Sequence, residues 1–572
     1  MVIQQQALER AAPLDRGPVA GEIPGTFPTV DNGWSDMRCA IGELLVLLAR
    51  HPWAAVRIEA RLVAHLGAIA LGRSRLTPAA EDPRFRHPAW QDNPLFQQPL
   101  QVYLALSEAL RDLVASSGLP QTRRRRLAFA AEHLIAALAP SNLCLTHPEF
   151  YERLIASRGR SALAGVYHLL SDLRDNHALP KQVDTTAFRL GMNIAATPGA
   201  VVFRNEICEL IQYSPRTPQV DACATLFVPA QINKYYVIDL APEHSLVRYA
   251  LDAGQQVFAL SWRNPTAAQR CWGLGDYATA VDQAIDIVWR ITGSHPVKLA
   301  GACAGGLTAT VALARRAAQG RAAQVASLSL FVTLLESPSS LVGVPTVDDA
   351  AIDRALARSA RRGVLDGAEM ARSFAWQQPD TLIWRFVTHN YVLGQTPPAS
   401  DILYWNNDTT RLPARLHADL LGIYRDQQLR EPGRIVLEGE PIDVSRITQD
   451  VFVVAGARDP IAPWQACYRS MQMFSGHRRF VLGTGGHAQA VICPPASDTG
   501  QAKRPGFVTC DDYDLPPSDW QRAARYTGDS WWPEWMAWAR EHGGPEHNAP
   551  TVFGNDDFEP IEAAPGRYVR QR

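Results

Sequence analysis

Gly301-Ala302-Cys303-Ala304-Gly305-Gly306 is the stretch that decides the fold. Pro296–Ala300 before it reads as a short buried strand, and Leu307–Arg316 after it reads as a helix. The hexapeptide has the layout of a nucleophile elbow, G-x-S-x-G, with cysteine in the place of serine, and strand–turn–helix is the context such an elbow requires. The glycines permit a strained turn and leave room for the elements that pack on it. The fold class expected is α/β: an α/β-hydrolase catalytic domain.

Working outward, the chain of 572 residues is too long for one ordinary core, so two or more domains are expected. Apolar content of 47% and charged content of 20% are those of a globular protein. A net charge of -1 and a pI near 6.9 give no footprint for nucleic acid. The run Arg123–Arg126 adjoins an amphipathic stretch from Leu127 to Leu138 and reads as a solvated helix start. Nine cysteines without a CxxC spacing read as free thiols in a reducing compartment, hence the cytoplasm. No spacing suggests a metal site, and no cofactor is expected. The first ten residues lack the apolar core of a signal peptide. Leu44–Ala49 is far shorter than the ~20 apolar residues of a membrane span.

Residues 1–34, rich in Pro, Gly and Ala, read as disordered. From 35 to 200 the apolar spacing is helical, interrupted by an aromatic and proline-rich loop over Asp82–Phe96, and Ala195–Ala200 punctuates a domain boundary. From 201 to 572, β-rich runs alternate with helical ones: Thr225–Val228, Gln256–Leu260, Val297–Ala300, Leu328–Leu335, Val451–Ala455 and Arg479–Leu482. That alternation predicts a parallel sheet covered on both faces. The segment of about 336–445 between the fourth and fifth runs is helical and aromatic. It is expected to form a cap above the C-terminal ends of the strands.

In this fold the triad follows the order nucleophile, acid, histidine. Asp459 follows a strand in Ala455–Ile461, and His487 follows the last run in Gly483–His487. Each alone has a blander reading: a small core thiol, a helix N-cap, a turn histidine. Together, in order and each at a strand end, they read as Cys303 nucleophile, His487 base and Asp459 orienting acid. The backbone N–H groups of Ala304 and of a residue near Ile232 are the expected oxyanion donors. A thiol is a nearly isoenergetic acceptor for a thioester acyl group. The group therefore stays activated for a hydroxyl, which favours acyl transfer over hydrolysis. A cap fits, because water must be kept from such an intermediate.

At this point the chain resembles the polyhydroxyalkanoate synthases, most of all the class II, medium-chain-length enzymes. The resemblance covers about residue 35 to the C-terminus. It rests on the Gly301–Gly306 box, Val201–Glu206, Glu209–Tyr213, Gln231–Tyr236, Ser261–Pro265, Tyr404–Pro413, Asp529–Trp532 and Ala564–Tyr568. It implies a polymerase that takes (R)-3-hydroxyacyl-CoA, releases CoA and extends a polyester on intracellular granules. It also implies contacts with the granule surface and with phasins, and a homodimer. It carries Cys303 over as acyl carrier, His487 as its base and Asp459 as the acid that also helps the attacking 3-hydroxyl. The family usually has Asp-His-Ile where this chain has Asp459-Pro460-Ile461, and proline offers neither a backbone donor nor a ring nitrogen.

Asp408 reads as an anchor under the cap or as a second acid near the site. Trp531, Trp535 and Trp538 share one helical face and read as core, with contact to polymer or another subunit as the sharper alternative. Trp262 and Arg263 are expected at the floor of the site or the CoA entrance. Two other functions compete with the synthase: a thiol hydrolase (thioesterase or polyester depolymerase) on the same scaffold, and a granule-binding protein impaired by Pro460.

Overall fold

Runs of β-branched, leucine and aromatic residues flanked by turn residues become the strands of one eleven-stranded sheet, seen in a computed structural model that describes residues 52–80, 82–176, 179–336, 349–496 and 506–572. The expected disorder of 1–34 lies outside the described residues. In chain order the strands are β1 (Gly199–Arg204), β2 (Cys208–Tyr213), β3 (Thr225–Val228), β4 (Val257–Trp262), β5 (Val297–Ala302) and β6 (Val325–Phe331). They continue with β7 (Asp450–Gly456), β8 (Arg478–Gly483), β9 (Phe507–Thr509), β10 (Arg525–Thr527) and β11 (Glu562–Ala563).

The spatial order is β10-β9-β8-β7-β6-β5-β3-β4-β2-β1-β11. The stretch β8-β7-β6-β5-β3-β4 is parallel, and both flanks are antiparallel. The order 1-2-4-3-5-6-7-8 with parallel pairing from β3 onward is the α/β-hydrolase fold. All six runs read from sequence are the six parallel strands; β4 and β5 are buried along their whole length, as strands covered on both faces must be. One boundary moves: the run read as Leu328–Leu335 is a strand over Val325–Phe331. Val332 takes a positive φ of 46° and leaves the sheet. Three of the five flanking strands, β9, β10 and β11, escaped a reading by alternation because they are only two or three residues long.

Between β6 and β7 lies the cap: helices Asp349–Arg362, Gly367–Gln377, Asp401–Asn407 and Ala414–Asp426. Two wider, π-helical turns, Asp380–Trp384 and Val387–Val392, join the second of these to the third. Leu412, Leu416, Leu420 and Ile423 of the cap belong to the same buried cluster as the sheet.

The region before the sheet is helical, as expected: Pro52–Ala70, Pro94–Ala115, Gln121–Ala137, Pro148–Ala156 and Arg160–Asp175. Arg123, Arg124 and Arg125 are exposed at a helix start. The loop expected over Asp82–Phe96 is more ordered than its prolines suggest. Pro83 and Pro94 each open a helical turn, where a missing N–H costs nothing, and Phe85 and Trp90 turn inward edge-to-face at 5.2 Å. Trp531, Trp535 and Trp538 are core: each is at most 5% exposed, and they pack on Phe331 and Phe452 of the sheet. Trp531 Nε1 donates to Ala490 O at 2.7 Å and Trp535 Nε1 to Ser329 Oγ at 2.9 Å.

Candidate active site

Cys303 sits at the C-terminal end of β5, at φ 51° and ψ -126°, a conformation that non-glycine residues adopt only under constraint. Its N–H donates to Phe331 O at 2.9 Å, and the helix Ala304–Ala318 starts immediately after it. The glycines are explained by approach rather than by their own torsions. A side chain at 301 would collide with the Gly306 backbone, and one at 305 with Val228 and Pro229. The elbow can therefore be turned this tightly only with glycine on both sides of the cysteine.

Asp459 follows β7, and His487 follows β8 and opens a short helix. His487 Nδ1 meets Asp459 Oδ2 at 2.7 Å, and the Cys303 side chain is close enough to the ring to favour its charged form. Three side chains separated by up to 184 positions in sequence, 487 less 303, thus form one chain of contacts. Burial alone would pull the imidazole down. The charge and hydrogen bond of Asp459, with the Cys303 contact added, outweigh it and hold His487 well above its ordinary 6.5.

The second oxygen of Asp459, Oδ1, accepts from Ile461 N at 2.8 Å and Ala462 N at 2.9 Å. Both donors lie beyond Pro460. The proline therefore removes nothing that orients the carboxylate, and its fixed φ suits the turn that brings those two N–H groups back.

Ala304 and Ile232 are both buried. Neither backbone N–H makes a hydrogen bond among the described residues. Unpaired donors in buried residues are rare enough that these two are informative. Gln231 Nε2 donates to Thr308 Oγ1 at 2.9 Å, which ties the Ile232 loop to the elbow helix. Trp262 Nε1 donates to Pro229 O at 2.7 Å and so pins the start of the same loop. Arg263 lies over the Tyr568 ring at 5.9 Å.

Asp408 is tied to the loop that carries Ile232 and Tyr236. Its Oδ2 accepts from Tyr236 OH at 2.7 Å, while burial pushes the carboxyl up against the opposing pull of Tyr236, Lys234 and Arg572. This is the anchor reading.

Two neighbours of the thiol carried no sequence signal. Tyr424, on the cap helix Ala414–Asp426, donates to Leu334 O at 3.3 Å and feels the charge of both Cys303 and Cys467. Cys467 is wholly buried, and its thiol is pushed well above 9.0, first by burial and then by Asp459 and Cys303. Two thiols thus neighbour one acid, but only Cys303 is partly exposed and joined to an imidazole. A thiolate is the reactive form, so the buried one is inert. Eight cysteines fall among the described residues, and all are free. Among these residues no group of His, Cys, Asp and Glu could hold a metal ion, and no helix is long and apolar enough to cross a membrane.

Residues 81–250 match the family model described as the N-terminus of poly-beta-hydroxybutyrate polymerase (PhaC), and residues 234–491 match the alpha/beta hydrolase fold model. The chain is 41% identical over 548 residues to poly(3-hydroxyalkanoate) polymerase 1 of Ectopseudomonas oleovorans, covering 96% of this chain and 97% of the relative. It is 43% identical over 527 residues to poly(3-hydroxyalkanoate) polymerase 2 of the same organism, covering 91% and 92%. To the poly(3-hydroxyalkanoate) polymerase subunit PhaC of Cupriavidus necator it is 36% identical over 512 residues, covering 88% and 86%.

Proposed function

This chain belongs to the poly(3-hydroxyalkanoate) polymerase family, and from that premise we propose that it polymerises (R)-3-hydroxyacyl-CoA through a thioester on Cys303. The observation that carries this reading is the grouping of Cys303, His487 and Asp459 at the end of a parallel sheet, with His487 hydrogen-bonded to Asp459 and sulfur at the elbow. His487 takes the thiol proton, and the Cys303 sulfur attacks the acyl carbonyl. The bond from carbonyl to CoA sulfur breaks, and the leaving CoA thiolate collects the proton from His487. In the next step a 3-hydroxyl gives its proton to His487 and attacks the Cys303 thioester; an oxygen ester forms, and the leaving cysteine sulfur takes that proton back from His487. Asp459 keeps Nδ1 engaged, so Nε2 faces the sulfur and stabilises the imidazolium formed in each half. The orphan N–H groups of Ala304 and Ile232 are suited to the carbonyl oxygen as it becomes an anion.

A cytoplasmic enzyme on the surface of its own apolar product is the setting this reading implies. The helix Arg160–Asp175 supports it by exposing Leu163, Val166, Tyr167, Leu170 and Leu173 on one face, all more than half exposed. A stripe of this kind marks a surface that meets something apolar. A homodimer and phasin contacts are part of the same proposal.

The impaired-binder alternative loses its motive, because the hydrogen bonds of Asp459 bypass Pro460. The hydrolase alternative is tested directly. Purified protein is given (R)-3-hydroxyoctanoyl-CoA, and free thiol and polymer are followed together. CoA release with polymer is expected; CoA release with only free hydroxy acid would sink the polymerase reading. Cys303→Ala should lower CoA release by on the order of 10⁴-fold or more at unchanged melting temperature.

A further inference from the structure

The cap does more than cover the thiol: it grips the loop that carries an oxyanion donor. Thr410, 2% exposed, donates from Oγ1 to Gln231 O at 2.5 Å and from its backbone N to Ile232 O at 3.2 Å. Thr409 and Asn233 form an antiparallel bridge. Trp405 Nε1 donates to Lys234 O at 2.7 Å. Three carbonyls of one loop, those of Gln231, Ile232 and Lys234, are thus satisfied by cap residues. From the other side, Gln231 Nε2 donates to Thr308 Oγ1, and Thr308 Oγ1 donates to Ala304 O at 2.9 Å. Thr308 is fully buried on the elbow helix, four residues after the first expected oxyanion donor.

The Gln231 carbonyl and the Ile232 N–H belong to one planar peptide group. In a trans peptide the two bonds point in opposite directions. A hydroxyl that holds the carbonyl therefore aims the N–H the other way, and this N–H has no acceptor among the described residues. We propose that Thr410 is a positioning residue through which the seated cap aims the Ile232 N–H, so that the oxyanion hole is complete only when the cap is docked. The inference rests on the oxyanion role proposed above for Ile232. It couples two tasks in one contact, since the movement that would admit water also disarms the donor.

The test uses the full chain and a probe independent of polymerisation. Acylation of Cys303 by p-nitrophenyl acetate develops an oxyanion; alkylation of the same thiol by iodoacetamide does not. Thr410→Val keeps the shape and removes the hydroxyl, and Thr410→Ser restores it. The Val variant should slow the p-nitrophenol burst about tenfold, a fraction of what loss of a whole donor costs. Its alkylation rate should stay within twofold of the parent, and the Ser variant should recover the burst. Thr308→Val, which cuts the opposite tether, should show the same split if the Thr410 variant folds poorly. An unchanged burst, or equal losses in burst and alkylation in both Val variants, overturns the proposal. Failure of the parent chain to release CoA from (R)-3-hydroxyoctanoyl-CoA would sink the polymerase reading instead, and the burst-to-alkylation split would still decide the role of Thr410.

Discussion

Among the described residues the sheet and its cap share one continuous buried cluster, whereas the helices that precede them divide into two small ones. Phe85, Trp90, Leu100, Tyr103, Ile135 and Ala139 make one of these; Leu113, Val114, Leu127 and Ala131 make the other. The helical side is held instead by polar clasps on the cap. His133 Nε2 meets Trp376 O at 2.6 Å, Gln182 Nε2 donates to Leu382 O at 2.7 Å, and Asn390 Nδ2 donates to Lys181 O at 2.7 Å. Tyr391 OH donates to Asp172 Oδ2 at 2.9 Å, and Gly165 lets the Tyr391 backbone approach the helix Arg160–Asp175. The teaching is that chemistry is built on the large core, where rigidity positions it. The helical side attaches to the cap and keeps its apolar face outward. Stability and catalysis should therefore separate when each side is perturbed.

The largest effect should come from the rigid side. Asp459→Asn removes the charge that does most to hold His487 up, leaving burial opposed only by the weaker effect of Cys303. Turnover should fall on the order of 10³- to 10⁴-fold. The His487 ionisation, followed by NMR of its ring protons, should move to lower pH. An unmoved profile would mean that another group sustains the imidazolium.

Next comes the small core. Trp90→Ala empties the centre of a six-residue cluster and should cost about 3–5 kcal/mol. Amide exchange should accelerate across Pro94–Ala115 and Gln121–Ala137 while β5 to β8 stay protected. Uniform acceleration over the whole chain would abolish the comparison.

The smallest effect is acidic. His147 in the helical side and His417 in the cap are each pushed down to about 4; burial is the main cause for both, joined for His417 by Arg358. With folded values below the 6.5 of the unfolded chain, protons bind mainly the unfolded state between pH 6.5 and 4. This stabilisation is full above 6.5 and is lost as pH falls toward 4. Each histidine should forfeit about 2 kcal/mol by pH 5. His487 has the opposite shift: its share is present below 6.5 and lost only at higher pH. Acidification to pH 5 should therefore loosen the helical side and cap before the sheet, as read by regional amide exchange. Equal loosening of β5 to β8 would contradict it.

Local patterns made the elbow, the six parallel strands and the order of the triad legible. A strand–turn–helix motif and a buried apolar run each lie within a few neighbouring residues, and the triad order follows once the fold is recognised. The family-like block Tyr404–Pro413 was also visible, but not its use. Its Asp408 is bound by Tyr236 OH, a contact with no trace in the spacing of the sequence.

The sequence by itself determined that a strained cysteine elbow, an acid and a histidine would follow the strands of an α/β-hydrolase sheet. It also marked the chain as a member of its family. Tertiary structure alone decided that Pro460 spares the donors of Asp459, that the tryptophans are core, and that Cys467 lies near Cys303 but is wholly buried. It alone brought Thr410 to Gln231 across 179 positions. The reason is physical: periodicity reports which face of an element is buried, while a contact between two loops has no period and exists only once the elements carrying them are packed.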